Sequence, residues 1–188
     1  MILAAVLLLL FSVVASTDSL YFHTYKYQLH RRLASRREHL YHTANICLFV
    51  PQTYLMFCVR PSGIWLLAVA ILSITTFGIE LGDVLCENDS RRDLGGVTSA
   101  EYAMHFAMSA FRAGFIGVFF ANTALGDFVA PAQLNSVPLP LAALGWCMVI
   151  PGAAVALFHV KLCFAQPMSP REDLSVSGAV SSAKVSSS

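Results

Sequence analysis

Charge is scarce in this sequence. Asp, Glu, Lys and Arg together make up 12% of its 188 residues, about half of the roughly one-quarter found in soluble domains. With 56% hydrophobic residues and a mean hydropathy of +0.64, an ordinary soluble domain is excluded. The net charge is only +1, and no nucleic acid partner is expected. The five cysteines, Cys47, Cys58, Cys86, Cys147 and Cys163, form no CxxC pair. Being odd in number and scattered over apolar segments, they argue against a disulfide framework or a thiolate zinc site and for small apolar side chains in a core. No internal repeat is visible, and the strict alternation of membrane barrel strands is missing.

Long apolar runs are what the sequence does have. They cover about residues 1–22, 43–59, 64–84, 102–125 and 139–162, each approaching the roughly 20 residues needed to cross a hydrocarbon core as helix. The expected fold class is therefore all-α: a polytopic transmembrane helix bundle of about five spans, integral to the cell (inner) membrane. One transmembrane domain is expected over residues 1–165, and a disordered, Ser-rich cytoplasmic tail over 166–188. The first run resembles a secretory signal in having small residues at Val13-Val14-Ala15, but no Lys or Arg precedes it. Lys26, Arg31, Arg32, Arg36 and Arg37 follow it instead, which favours a retained first helix.

The same residues set the expected orientation, because short cytoplasmic loops collect Lys and Arg. With the N-terminus outside and the C-terminus cytoplasmic, ten of the twelve basic residues lie inside, and the outer loops contain only Arg60. All six histidines and eight of the eleven acidic residues then gather at this inner face. Asp18 and His23 end the first helix, Glu38, His39 and His42 begin the second, and Glu80, Asp83 and Glu87 end the third. Glu101 and His105 begin the fourth, and His159 closes the fifth.

Spacing within the helices sharpens the set. Glu38 with His42, and Glu101 with His105, stand four residues apart, about 40° around a helix. Glu80, Asp83 and Glu87 share one stripe, and carboxylates at that depth need a cation close by. Seven residues beyond His105 comes Arg112, about 10 Å deeper, which requires an acidic partner or an anionic ligand. Imidazole with carboxylate suits zinc, iron or manganese. The pattern resembles the carboxylate-bridged di-metal bundles in type only: the spacing is Glu-x-x-x-His, and no HxxHH boxes are present.

Structural alternatives use some of the same residues. Ser35-x-x-Glu38 and Thr98-x-x-Glu101 both fit capping boxes, and His30 and His39 beside arginines are expected to face water or headgroups. Asp89 and Asp93 fit a solvated loop that turns at Gly95-Gly96. Ala113, Gly117 and Ala121 form a stripe for close helix approach, Pro51 and Pro151 are expected to kink their helices, and Tyr21, Tyr25, Tyr27 and Tyr41 fit an interfacial aromatic belt.

Three functions follow from the sequence. The sharpest is a membrane metal site holding a divalent ion on His23, His42, His105, Asp83, Glu80, Asp18, Glu38 and Glu101, with Glu80, Asp83 and Arg112 as the catalytic candidates. Such a site would serve a hydrolase or an oxidoreductase acting on a lipid-like or quinone-like substrate. The alternatives are a non-catalytic module whose inner charges form a structural salt-bridge layer, and a small proton or ion transporter.

Overall fold

The computed structural model describes residues 1–165; the expected Ser-rich tail lies outside the described residues. The chain is mostly helical. Helix α1 (Ile2–Ser16) runs on as a π-helical segment, Thr17–Lys26, and a short 3-10 turn at Leu29–Arg31 leads into α2 (Arg36–Thr53). A second π-helical turn, Tyr54–Cys58, ends α2 a few residues after Pro51. Strand β1 (Val59–Ser62) precedes α3 (Ile64–Ser90) and α4 (Ser99–Ala121). After a short α5 (Leu125–Val129) and strand β2 (Gln133–Ser136), the described chain ends in α6 (Leu139–Leu162).

Among the described residues, four helices are long and apolar enough to cross a membrane: Ile2–Lys26, Ile64–Ser90, Ser99–Ala121 and Leu139–Leu162. The helix over the expected second run, α2, is not one of them. It begins with Arg36, Arg37 and Glu38, so its apolar half alone is shorter than a hydrocarbon core requires.

Helix α1 packs along α4, while α2 packs between α3 and α6. At the end away from the histidines these groups merge into one apolar core. Leu8 and Phe11 of α1 meet Phe49 of α2, Phe57 of its π turn, and Phe115 and Phe119 of α4. The rings of Phe11 and Phe115 lie 5.7 Å apart and those of Phe11 and Phe49 5.3 Å apart. Dispersion and burial of these rings hold the helices at fixed spacing. A hydrogen bond from Gln52 Nε2 to Ser73 Oγ, 2.9 Å, ties α2 to α3.

Close approach uses glycines other than the stripe expected on α4. Ala113, Gly117 and Ala121 face outward, whereas a Cβ at Gly114 would touch Leu7 at 3.0 Å where α1 and α4 meet. On α6, a Cβ at Gly145 would come within 2.7 Å of Cys58 Sγ.

The far end is closed by a two-stranded antiparallel ribbon in which Val59 pairs with Ser136 and Ser62 with Gln133. Gly63 makes the turn from this ribbon into α3 at φ +58°, and a Cβ there would lie 2.5 Å from the Ala130 carbonyl oxygen. Both the backbone conformation and the space require glycine. Gly63→Ala is expected to cost about 1–3 kcal/mol, read as a lowered thermal midpoint in detergent.

Candidate metal centre and its charge layer

The polar end of the bundle brings the ends of five helices together. The π-helical segment is the local feature that makes this possible. Residues five apart lie about 140° around an α-helix, which would separate Asp18 from His23. In a π-helix the i→i+5 bond stacks them instead, and His23 Nε2 stands 3.2 Å from Asp18 Oδ2. Both side chains are almost fully buried. The His42 ring, from the second turn of α2, lies 4.6 Å from the His23 ring, centre to centre. One ligand atom each from Asp18, His23 and His42 lies within 4.8 Å of the others.

His105 joins this set through Asp18. Its Nε2 is 3.4 Å from Asp18 Oδ1 and its Nδ1 3.3 Å from Glu87 Oε2, so the ring spans two carboxylates from different helices. Asp83, one turn from Glu87 on α3, has its Oδ1 buried without a hydrogen-bond partner among the described residues, as does Glu87 Oε1. Glu80 lies deeper, where its Oε2 accepts from Arg112 Nη1 at 3.0 Å and its other oxygen accepts from the Ser109 hydroxyl. Arg112 Nη1 also donates to Asn45 Oδ1 at 3.0 Å, and the guanidinium lies 4.8 Å above the Phe11 ring.

Arg91 organises the remaining carboxylates. It follows α3 and is fully buried, with Nη1 2.8 Å from Glu38 Oε2 and Nε 3.3 Å from Glu101 Oε1. Burial works against its charge, but Glu38 and Glu101 outweigh this and raise its pKa above the ordinary value. Glu101 also completes a capping box with Thr98 at the start of α4 and accepts from the Tyr27 hydroxyl at 2.9 Å. Burial, followed by that carboxylate, raises the Tyr27 phenol above its usual range. The matching box at Ser35 does not form. Glu38 turns to Arg91 and to His23, 3.6 Å away, and the Ser35 hydroxyl donates to the Ser90 carbonyl.

The structure therefore gathers two groups of the sequence candidates. Asp18, His23, His42, His105 and Glu38 meet directly, with Asp83 beside them, while Glu80 and Arg112 pair two turns deeper. Glu101 belongs to the Arg91 network. The sequence placed Arg91 in a solvated loop or among the arginines available to neutralise Glu80, Asp83 and Glu87, and Tyr27 in an interfacial belt. Instead both are buried inside the layer, and the Glu101 side chain is what draws them in.

His39 differs from its expected place at the surface, being buried because the end of α6 covers the first turn of α2. Its ring stacks 5.4 Å from that of His159, which lies 5.2 Å from His42. Ser19 Oγ and His159 Nε2 share a 2.6 Å hydrogen bond. His30, 5.9 Å from His39, is only partly buried; burial, then Arg31, lowers its pKa. Asp89 does lie in the solvent, paired with Arg92 at 2.7 Å, and the chain turns at Gly95 and Gly96, both with positive φ.

A cavity of about 480 Å³ opens beside the centre between the α1–α4 pair and α2, α3 and α6. Asp18, His42, Asp83, Glu87 and His105 form its polar end. Asn45, Glu80 and Arg112 form a deeper polar patch, and Leu9, Phe49, Met148 and Pro151 belong to its apolar wall.

Arg91→Ala would leave Glu38 and Glu101 buried without a cation. It is expected to cost about 3–5 kcal/mol, against less than about 1 kcal/mol for Arg92→Ala in its exposed pair. Thermal unfolding of the two variants in the same detergent measures the difference. Comparison with known protein families, characterised proteins and solved structures finds no match, so the functional reading rests on this geometry.

Proposed function

We propose that this chain is an integral protein of the cell (inner) membrane that holds a divalent metal, zinc, iron or manganese, on Asp18, His23 and His42. The metal serves a hydrolase or oxidoreductase whose substrate is a lipid-like or quinone-like amphiphile in the adjoining cavity. The observation that carries this reading is the convergence of one carboxylate and two imidazole ligand atoms within 4.8 Å, drawn from two helices, with Asp18 and His42 lining a cavity. Ligands stand about 2.0–2.2 Å from zinc, so binding would draw the three inward by small side-chain rotations. Three protein ligands leave a position for water or substrate, and the ion would act there as a Lewis acid or lower the pKa of a bound water.

Charge supports the same reading. Arg91 supplies one positive charge to Glu38 and Glu101, and Arg112 supplies one to Glu80. Asp18, Asp83 and Glu87 have no Arg or Lys ion pair among the described residues, and His105 alone spans Asp18 and Glu87. Buried carboxylates in excess favour a bound cation. Asp83, with one oxygen unpartnered at the cavity, is the group assigned to proton transfer. Glu38 and His105 act behind the ligands by orienting His23 and Asp18, as second partners of metal ligands commonly do.

A structural salt-bridge layer is the second reading, favoured by the three arginine–glutamate pairs. It accounts for Glu38, Glu80 and Glu101 and leaves His23 and His42 without a role.

Elemental analysis of detergent-purified protein separates the two. About one zinc, iron or manganese per chain is expected, falling to near zero in Asp18→Asn and His42→Ala. A native chain that holds no metal after reconstitution with each of the three ions sinks the metal reading.

The orientation, with the metal end cytoplasmic, has its own check. In a cysteine-free background, an impermeant maleimide applied to intact cells should label Gln133→Cys. It should reach Asp89→Cys only after permeabilisation, and the reverse pattern would invert the topology.

A further inference from the structure

The cavity has a second polar station that the metal centre does not use. Arg112 is buried to 6% exposure and lines the cavity. Both of its hydrogen bonds, to Asn45 and Glu80, leave from Nη1, so Nη2, which is not fully buried as Nε is, makes none among the described residues. The Phe11 ring, 4.8 Å from the guanidinium, limits its movement. Because Glu80 already neutralises it, the pair carries no net charge to attract an anion. A donor left over from a neutralised arginine suits a neutral oxygen acceptor, and the surrounding apolar wall excludes water that would otherwise compete.

Access is lateral. Helices α1 and α6 touch only sparingly, and residues from both line the cavity while remaining exposed: Leu9 and Val13 on α1, Cys147 and Pro151 on α6. Both helices are apolar enough to lie in a bilayer, so this gap faces lipid.

We propose that the cavity takes a carbonyl-bearing amphiphile from the bilayer through the α1–α6 gap, with Arg112 donating to a carbonyl oxygen about two helical turns, roughly 10 Å, from the Asp18 centre. This rests on reading the cavity as the substrate site of that centre. The occupant's chain lies along the apolar wall and its second polar group reaches the Asp18, Asp83 and His105 end. An ester of a glyceride and the carbonyl of a quinone share the chemistry that Arg112 recognises. The two differ in whether the centre would hydrolyse or oxidise and reduce them.

Native mass spectrometry of the protein in detergent, with decyl-benzoquinone, dodecanoyl-glycerol and dodecylbenzene as probes, tests this. One or both carbonyl probes should bind in preference to dodecylbenzene, and the preferred one names the source. Arg112→Gln should weaken that probe by about tenfold or more, the size of a lost charge-assisted hydrogen bond, with dodecylbenzene and the bound metal unchanged. Val13→Trp, which narrows the gap without touching Arg112, should reduce binding of the same probe and covers the case in which Arg112→Gln does not fold. Equal binding of all three probes, or carbonyl binding undiminished in a folded Arg112→Gln or in Val13→Trp, overturns the proposal. Loss of metal in Asp18→Asn with probe binding intact counts against neither the gap nor Arg112, so the two readings fail separately.

Discussion

Carboxylates gathered at one end of an apolar bundle have to be balanced where water is scarce, and this constraint shapes everything around them. Isolated ionised groups in a low-dielectric interior are costly by several kcal/mol each, so each helix end that brings an acid must meet a cation from another. Arg91 does this for Glu38 of α2 and Glu101 of α4. In doing so it fixes the α3–α4 connection against the start of α2. Tyr27 and the Thr98 cap saturate the remaining oxygen of Glu101. Arg91 Nη2 and Glu38 Oε1 are still buried without a hydrogen-bond partner among the described residues, so the match on this side is incomplete.

The other part is open. Asp18, Asp83 and Glu87 are approached by histidines instead of arginines, and buried oxygens of all three have no hydrogen-bond partner among the described residues. Nearly all buried polar groups in folded proteins are paired, so unpartnered oxygens on three neighbouring carboxylates favour a bound cation. Those three residues also line the cavity. Arginine ion pairs dominate the Arg91 side of this charge layer, and histidine contacts the Asp18 side. The two rival sequence readings therefore each describe a portion of it.

Much of this was legible in the sequence. Hydropathy placed the four long apolar helices, and the positions of acids and histidines at helix ends placed them at one end of the bundle. Two features were not legible. The π-helical segment that stacks His23 on Asp18 has no signature in spacing, because five-residue separation reads as opposite faces on an α-helix. The burial of Arg91 was equally hidden, since an arginine beside Asp89, Arg92 and two glycines looks like a solvated loop. Its partners come from 53 and 10 residues away, and only tertiary contact shows them. The small-residue stripe on α4 failed for a related reason: small residues permit close approach on any face, and the neighbour α1 chose Gly114.

The division of labour along the bundle axis also explains how such a layer is tolerated. Phe11, Phe49, Phe57, Phe115 and Phe119 pack into one core at the opposite end, so apolar packing holds the helices together apart from the polar end. Phe11 belongs to that core and also lies beneath Arg112. The ring thereby joins the rigid half of the bundle to the deeper polar station. Hydrogen bonds to Asn45 and Glu80 and the contact with Phe11 hold the guanidinium away from Asp18. The core thus keeps Arg112 at its own level and leaves the carboxylates above it in need of another cation.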